Sequence, residues 1–200
     1  RYGVYEPIWG TVYDRTLVPC SGNAATVSLE GLVQPRIEPE ICFGLKARPH
    51  PEDPLPAVEW VAHSIEIVQC HHPEWKLRLA DSTAGNGLHG RLVVGERVPV
   101  AGLPGLAEAL AGVRVILRNG SRKVDEGVGA NVLGSPLLAL AHLAKVLAAQ
   151  PRAPQLAPGE LVSTGTLTDA HPVAPGETWS TELAGLPLPG LTVRFARVST

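Results

Sequence analysis

Glu38 and Glu40 stand one residue apart in Arg36-Ile37-Glu38-Pro39-Glu40-Ile41-Cys42-Phe43, and Glu66 lies in a second apolar run, Trp60-Val61-Ala62-His63-Ser64-Ile65-Glu66-Ile67-Val68. In a strand, residues i and i+2 share a face. Glu38 and Glu40 then aim two carboxylates at one point, while Ile37, Ile41 and Phe43 face away. Burying unpaired carboxylates is costly, so such a point calls for a positive charge. Three oxygen ligands that leave positions for water or substrate suit Mg²⁺ or Mn²⁺. The plainer alternative is two surface glutamates and a third in a salt bridge, because Glu-x-Glu is a common spacing.

The elements that must carry these residues are short. Nineteen prolines and 21 glycines punctuate the 200 residues. Residues 46–56, with four prolines, read as a loop joining the two glutamate-bearing strands. The chain turns at His72-Pro73. A strand follows at 91–94, then a short helix at 106–111. Residues 113–118 alternate as a strand and reach Asn119-Gly120, a type I′ hairpin signal. One long helix is expected, capped by Ser135 with Pro136 in its first position. Leu137, Leu140, Ala144 and Leu147 form its buried stripe, with His142 and Lys145 on the wetter side. Residues 159–198 read as strands joined at Pro158-Gly159, Pro175-Gly176 and Pro189-Gly190. This is an α+β domain, rich in mixed sheet, with one long packed helix and the whole of 1–200 in one catalytic unit.

Composition narrows the function. The formal charge is −2 and no basic run exceeds Arg122-Lys123, which argues against a nucleic-acid partner. No apolar stretch is expected to reach the ~18 residues of a membrane span. Cys20, Cys42 and Cys70 are an odd, sparse set, expected as free thiols in a reducing, cytoplasmic setting. Cys70-His71-His72 is too contiguous to converge on one zinc ion. Gly127-x-Gly129 with Gly134 lacks the spacing and context of a dinucleotide loop. The chain starts at Arg1 and contains no methionine, so a preceding segment is expected.

A resemblance joins these pieces. Glu38-Pro39-Glu40, Glu66-Ile67-Val68, Trp75-Lys76 with Ala80-Asp81-Ser82, Val132-Leu133-Gly134-Ser135-Pro136-Leu137, and Thr164-Gly165-Thr166-Leu167-Thr168 follow one another in a familiar order. Over residues 5–195 the chain resembles the fumarylacetoacetate hydrolase superfamily, in its branch of 2-keto-4-pentenoate hydratases and 2-oxo-3-hexenedioate decarboxylases. The resemblance implies a β-rich roll of mixed sheet with a helix against it, and a mostly helical segment ahead of it that carries a catalytic lysine. It implies Mg²⁺ (or Mn²⁺) on Glu38, Glu40 and Glu66, a small 2-oxo acid as substrate, and assembly into a homodimer or larger homo-oligomer. A 2-oxo carboxylate chelates such a metal through two oxygens, and the metal stabilises the enolate that forms beside the carbonyl. From there the superfamily adds water, releases CO₂ or cleaves a C–C bond. Alternatives to the lyase are therefore hydrolysis of acylpyruvate-type diketo acids, or a member that only binds metal and oxo acid.

Within that frame Lys76, Asp81 and His89 are the candidate catalytic residues, Lys76 also as a holder of the substrate carboxylate and His89 as a general acid or base. Thr166 and Thr168 are candidates to donate hydroxyls to the substrate or to stabilise their own turn. Two departures stand out. Tyr5, or Glu6 after a register shift, takes the place of a hydratase aspartate. Ala84-Gly85-Asn86-Gly87-Leu88-His89 replaces a stretch that the family often writes Ala-Asp-Asn-x-Ser.

Overall fold

The structure is a computed structural model that describes residues 7–150 and 152–197, so Tyr5 and Glu6 lie outside the described residues. In chain order the strands and helices are β1 (Leu17–Val18), β2 (Ala24–Val27), β3 (Arg36–Leu45), β4 (Val58–Val68), α1 (Leu79–Ala84), β5 (His89–Val94), β6 (Val98–Pro99), α2 (Leu106–Gly112), β7 (Arg114–Asn119), β8 (Arg122–Val128), α3 (Pro136–Ala149), β9 (Leu161–Thr166), β10 (His171–Pro172), β11 (Thr178–Ala184) and β12 (Thr192–Phe195). A seven-stranded sheet runs β1-β5-β4-β3-β10, with β6 also on β4 and β9 also on β3. A five-stranded sheet runs β2-β12-β11-β7-β8. The pairs β1–β5 and β2–β12 are parallel and the remaining pairs antiparallel, so both sheets are mixed as expected.

The long hairpin of β3 and β4 organises the molecule. Its odd-numbered β3 residues Ile37, Ile41, Phe43 and Leu45 are all buried. Ile37, Ile65, Ile67 and Val93 pack against Val27, Leu117, Trp179, Val193 and Phe195 of the second sheet. Ile41, Phe43 and Leu45 pack against Leu106 and Leu110 of α2 and Leu140 of α3. Pro39 sits inside this central strand without breaking it. On one edge of β3, β10 pairs with residues 36 and 37 and β9 with residues from 40 onward. The proline, which has no N–H to donate, falls in the gap between them.

His63 ties the sheets together from within. It is 1 % exposed. Its Nδ1 lies 2.8 Å from the Glu40 carbonyl and its Nε2 lies 2.8 Å from the Thr181 hydroxyl on β11. A carbonyl only accepts, so Nδ1 carries the proton and Nε2 accepts from Thr181. Burial pushes the His63 pKa down to about 4. Between the second sheet and β10, His171 Nε2 meets Asp125 Oδ2 at 2.7 Å.

α3 begins as expected, with Ser135 Oγ accepting from the Leu137 N–H at 3.3 Å and Pro136 following. Leu140, Ala144 and Leu147 are buried, whereas Leu137 is only partly covered. Residues 129–149 do form a run long and apolar enough to cross a membrane by length and composition, contrary to the expectation. Within it, however, the regular helix is 14 residues, ~21 Å against a ~30 Å hydrocarbon core. Two turns also differ. The hairpin after β7 uses Gly120-Ser121 with positive φ only at Gly120, the type II′ pattern, while Asn119 stays in the ladder opposite Arg122. Pro189-Gly190 forms neither turn nor bend, and the bend after β11 falls at Gly185-Leu186.

Replacing Leu140 by Ala should destabilise the fold by about 2–5 kcal/mol, and replacing exposed Leu138 should change it by less than ~0.5 kcal/mol. Chemical denaturation of both variants checks the burial pattern of α3. A second expectation concerns acid. The unfolded chain protonates His63 near pH 6.5 and the folded one only near 4, so between these values unfolding takes up a proton and stability falls with pH. The difference between those pKa values corresponds to roughly 3 kcal/mol, fully lost below about pH 4. The gap in unfolding free energy between the parent and His63→Gln should shrink by up to that amount from pH 7 to pH 4. A gap independent of pH would rule out a buried neutral His63.

Candidate metal centre

Glu38 and Glu66 are directly opposite in the β3–β4 ladder, and Glu40 follows two residues along β3 on the same face. One carboxylate oxygen from each of the three lies within 4.8 Å of the others. The arrangement expected from the i, i+2 spacing is therefore present. Like charges this close across a ladder are destabilising by themselves. Glu40 is 1 % exposed. Its Oε2 accepts from the Ser163 hydroxyl at 2.6 Å and the Gly165 N–H at 3.1 Å. Its Oε1 is a buried acceptor with no hydrogen-bond partner among the described residues.

Two β-bulges bring the supporting side chains to this face. In the β4–β5 ladder Glu66 faces Leu92 and Ile67 faces Arg91, but Val68 faces His89. Gly90 is the extra residue. In an unbulged ladder through the same residues Gly90 would face Val68, and alternation would carry His89 to the opposite face. A Cβ at position 90 would stand 2.5 Å from the Ile67 carbonyl oxygen, so this close approach needs glycine. His89 consequently turns its Nδ1 to Glu66 Oε1 at 2.6 Å and its Nε2 to the Thr16 hydroxyl at 2.8 Å. The His89 side chain is 5 % exposed and the Glu66 side chain 17 %. The second bulge lies between β3 and β9, where Glu40 faces Thr166 but Cys42 faces Ser163. One extra β9 residue brings Ser163 onto the face of Glu40. Gly165, at φ +105, turns its N–H toward the same carboxylate. The Ser64 and Ser163 hydroxyls are 3.0 Å apart, which extends the support into β4.

Electrostatics test whether a cation fits. Burial, together with the charge of Glu66, pushes the Glu38 pKa up to about 8, while Arg36 pulls it the other way. Burial, then Glu66 and Glu38, push Glu40 well above the ordinary carboxylate range. Left alone, the cluster would have to hold protons at neutral pH. A divalent cation relieves the same repulsion and gives the orphaned Oε1 of Glu40 a partner. The donors are three hard carboxylate oxygens with no thiol or imidazole among them, which matches Mg²⁺ or Mn²⁺.

The other sequence-predicted residues are distributed unevenly. Thr166 is the ladder neighbour of Glu40, but its hydroxyl accepts from the Thr168 N–H at 3.3 Å. Thr168 donates to the Asp169 carbonyl at 2.9 Å. Both hydroxyls thus stabilise their own turn. Asp81 Oδ2 accepts from the Arg78 N–H at 2.9 Å and caps the start of α1; that bond holds its pKa low. Lys76 is an 80 % exposed side chain paired with Glu74. Lys76 and Asp81 line an open hollow of about 640 Å³ with His72, Trp75 and Arg78, and none of the three glutamates lines it. Ser163, Gly165 and Thr16 are supporting residues outside the sequence-predicted set. Gly165 belongs to the Thr164-Gly165-Thr166 motif; Ser163 and Thr16 carried no signal, because bulge and register bring them in.

No family model matches the chain. Curated relatives do: 4-oxalocrotonate decarboxylase of Pseudomonas sp. (strain CF600), for example, is 32 % identical over 192 residues, which is 93 % of this chain and 69 % of that protein. The 2-keto-4-pentenoate hydratase of Paraburkholderia xenovorans (strain LB400) is 32 % identical over 191 residues, 93 % of this chain and 68 % of that one. Among solved structures, 4-oxalocrotonate decarboxylase from Pseudomonas putida G7, complexed with magnesium and adipate, superposes with a TM-score of 0.84 at 28 % identity, covering 97 % of this chain and 72 % of that one. A fumarylpyruvate hydrolase from Pseudomonas aeruginosa, at 15 % identity and a TM-score of 0.61 over 88 % of this chain and 75 % of its own, shares the fold alone. With its mixed sheets, its main helix and this sequence identity, the chain belongs to the family of 2-keto-4-pentenoate hydratases and 4-oxalocrotonate decarboxylases, enzymes of the fumarylacetoacetate hydrolase fold.

Proposed function

We propose that Glu38, Glu40 and Glu66 hold one divalent cation, Mg²⁺ or Mn²⁺, and that the chain is a metal-dependent lyase acting on a 2-oxo acid, by hydration or decarboxylation. The observation that carries this is the buried, partnerless Oε1 of Glu40, gathered with two further carboxylates on one sheet face. A cation bound there supplies Lewis acidity toward the adjacent carboxylate and carbonyl oxygens of a 2-oxo acid. The chain's own residues do the rest of the positioning. Ser163 and Gly165 fix Oε2 of Glu40 and leave Oε1 without a hydrogen-bond partner among the described residues. His89 fixes Glu66, and with both ring nitrogens engaged it serves better as a holder of a metal ligand than as a general acid or base.

The lyase reading rests on relatives at 30–34 % identity that are hydratases or decarboxylases, whereas hydrolases of this fold are near 15 % identical. C–C hydrolysis of an acylpyruvate remains the second reading, and the altered 85–89 loop supports a third, a member that binds metal and oxo acid without turnover. Lys76, Asp81, Thr166 and Thr168 are engaged in local contacts and are lesser candidates for the chemistry. We read residues 1–200 as one catalytic unit, at work in the cytoplasm as a homodimer or larger assembly.

Calorimetry with Mn²⁺ tests the centre. Glu40→Ala should remove stoichiometric binding while leaving the circular dichroism unchanged; unaltered affinity would disprove the assignment. Ser163→Ala and His89→Ala should each weaken Mn²⁺ binding roughly 10–100-fold. Were His89 a general acid or base instead, its removal would leave metal affinity alone and lower turnover about 10²–10⁴-fold. Product analysis after incubation with a 2-hydroxypenta-2,4-dienoate, a 2-oxo-3-enedioate and an acylpyruvate separates the three readings, since only the first two belong to the lyase.

A further inference from the structure

Two arginine–tryptophan stacks border the carboxylate face. The Arg97 guanidinium lies 4.6 Å from the Trp60 ring centroid, and the Arg36 guanidinium lies 4.3 Å from that of Trp75. They are not equivalent. Trp60 pairs with Gly44, four residues along β3 from Glu40, or ~13 Å. Arg36 is two residues from Glu38 on the same strand, hence on the same face and one ~7 Å repeat away. Trp75 is buried and its indole N–H donates to the Gln34 carbonyl at 3.1 Å, so the platform under Arg36 is fixed. A terminal nitrogen of Arg36 also reaches the Ala170 carbonyl at 3.5 Å.

We propose that Arg36, oriented by Trp75, binds the carboxylate of the 2-oxo acid, taking the oxygen that is not turned toward Glu38, Glu40 and Glu66. This rests on the metal reading above. Three carboxylates outweigh a divalent cation by one negative charge, so the loaded centre by itself repels an anionic substrate. A guanidinium one strand repeat away restores the balance. Its planar fork matches a carboxylate, and stacking on an aromatic ring leaves it less freedom to lose on binding than a solvated lysine has. The role read from sequence for Lys76 passes to a residue whose place is set by the ligand strand itself.

The experiment compares the parent, Arg36→Met and Arg36→Lys, each first titrated with Mn²⁺ and then, once saturated, with oxalate. Both variants should keep the parent's circular dichroism and bind Mn²⁺ at least as tightly, since a nearby cation is weakened or removed. Oxalate should bind Arg36→Met roughly 10–100-fold more weakly than the parent. Arg36→Lys, which keeps the charge and a stem over Trp75, should fall between them and provides the comparison if the methionine variant does not fold. Competition by 2-oxobutanoate and by 2-oxoadipate should be lost equally. Unchanged oxalate affinity in an Mn²⁺-loaded variant overturns the proposal and leaves the metal reading standing. So does a loss confined to 2-oxoadipate, which would put Arg36 at the far carboxylate. Failure of the parent to bind Mn²⁺ removes the metal reading, and the proposal with it.

Discussion

The repulsion among three carboxylates gathered on one sheet face is the interaction on which the rest of this molecule depends. Glu38 and Glu66 oppose each other across a hairpin whose other face is core, and Glu40 is buried beside them. A ladder does not tolerate this arrangement without compensation. The fold answers locally: donors from β9 hold one oxygen of Glu40, and an imidazole from β5 holds Glu66. What these contacts leave uncompensated is one acceptor and excess negative charge at a single point. That residue of unfavourable energy is what gives a site its appetite for a cation.

The surroundings are rigid for the same reason. Three strands converge on the centre, and each is committed to the core by its opposite face. His63 adds a constraint from below. It bonds the Glu40 carbonyl and the Thr181 hydroxyl together, so the backbone beneath a proposed ligand is fastened to the second sheet. The ligand strand is thus fixed on both sides, through its side chains to β9 and through its carbonyl to β11. Catalytic centres need this degree of pre-organisation, because small displacements of a ligand cost a large part of its effect.

Much of the architecture was legible in the sequence where periodicity carried it. The alternation of Ile37, Ile41 and Phe43 with Glu38 and Glu40 gave strand, face and carboxylate cluster together. Ser135-Pro136 gave the start of α3. What remained hidden depends on pairing between distant segments. Nothing in residues 85–92 announces a bulge at Gly90, so the sequence placed His89 near the site without saying what it touches. Ser163 has no local mark at all, because its position is decided by the β3–β9 register. Lys76 and Asp81 stand in a motif that points to the site, but their side chains are settled by nearer partners, Glu74 and the Arg78 amide. Pro189-Gly190 has the composition of a turn but lies against Thr181, where close packing of the chain, not reversal, calls for the glycine.

The two bulges have a consequence for how this site can change over time. A substitution at His89 or Ser163 alters one contact and leaves its neighbours in place. Deleting the extra residue at either bulge would restore a regular ladder and leave the pairing on both sides of it as it is. Deleting a residue elsewhere in either strand would instead carry every side chain from there to the next bulge or loop to the opposite face, apolar groups moving outward and polar ones into the core. Diversification of these two strands is therefore open to point replacement and, outside the bulges, closed to changes of length, while the proline-rich connection at residues 46–56 can absorb insertions without disturbing the parity of the carboxylates.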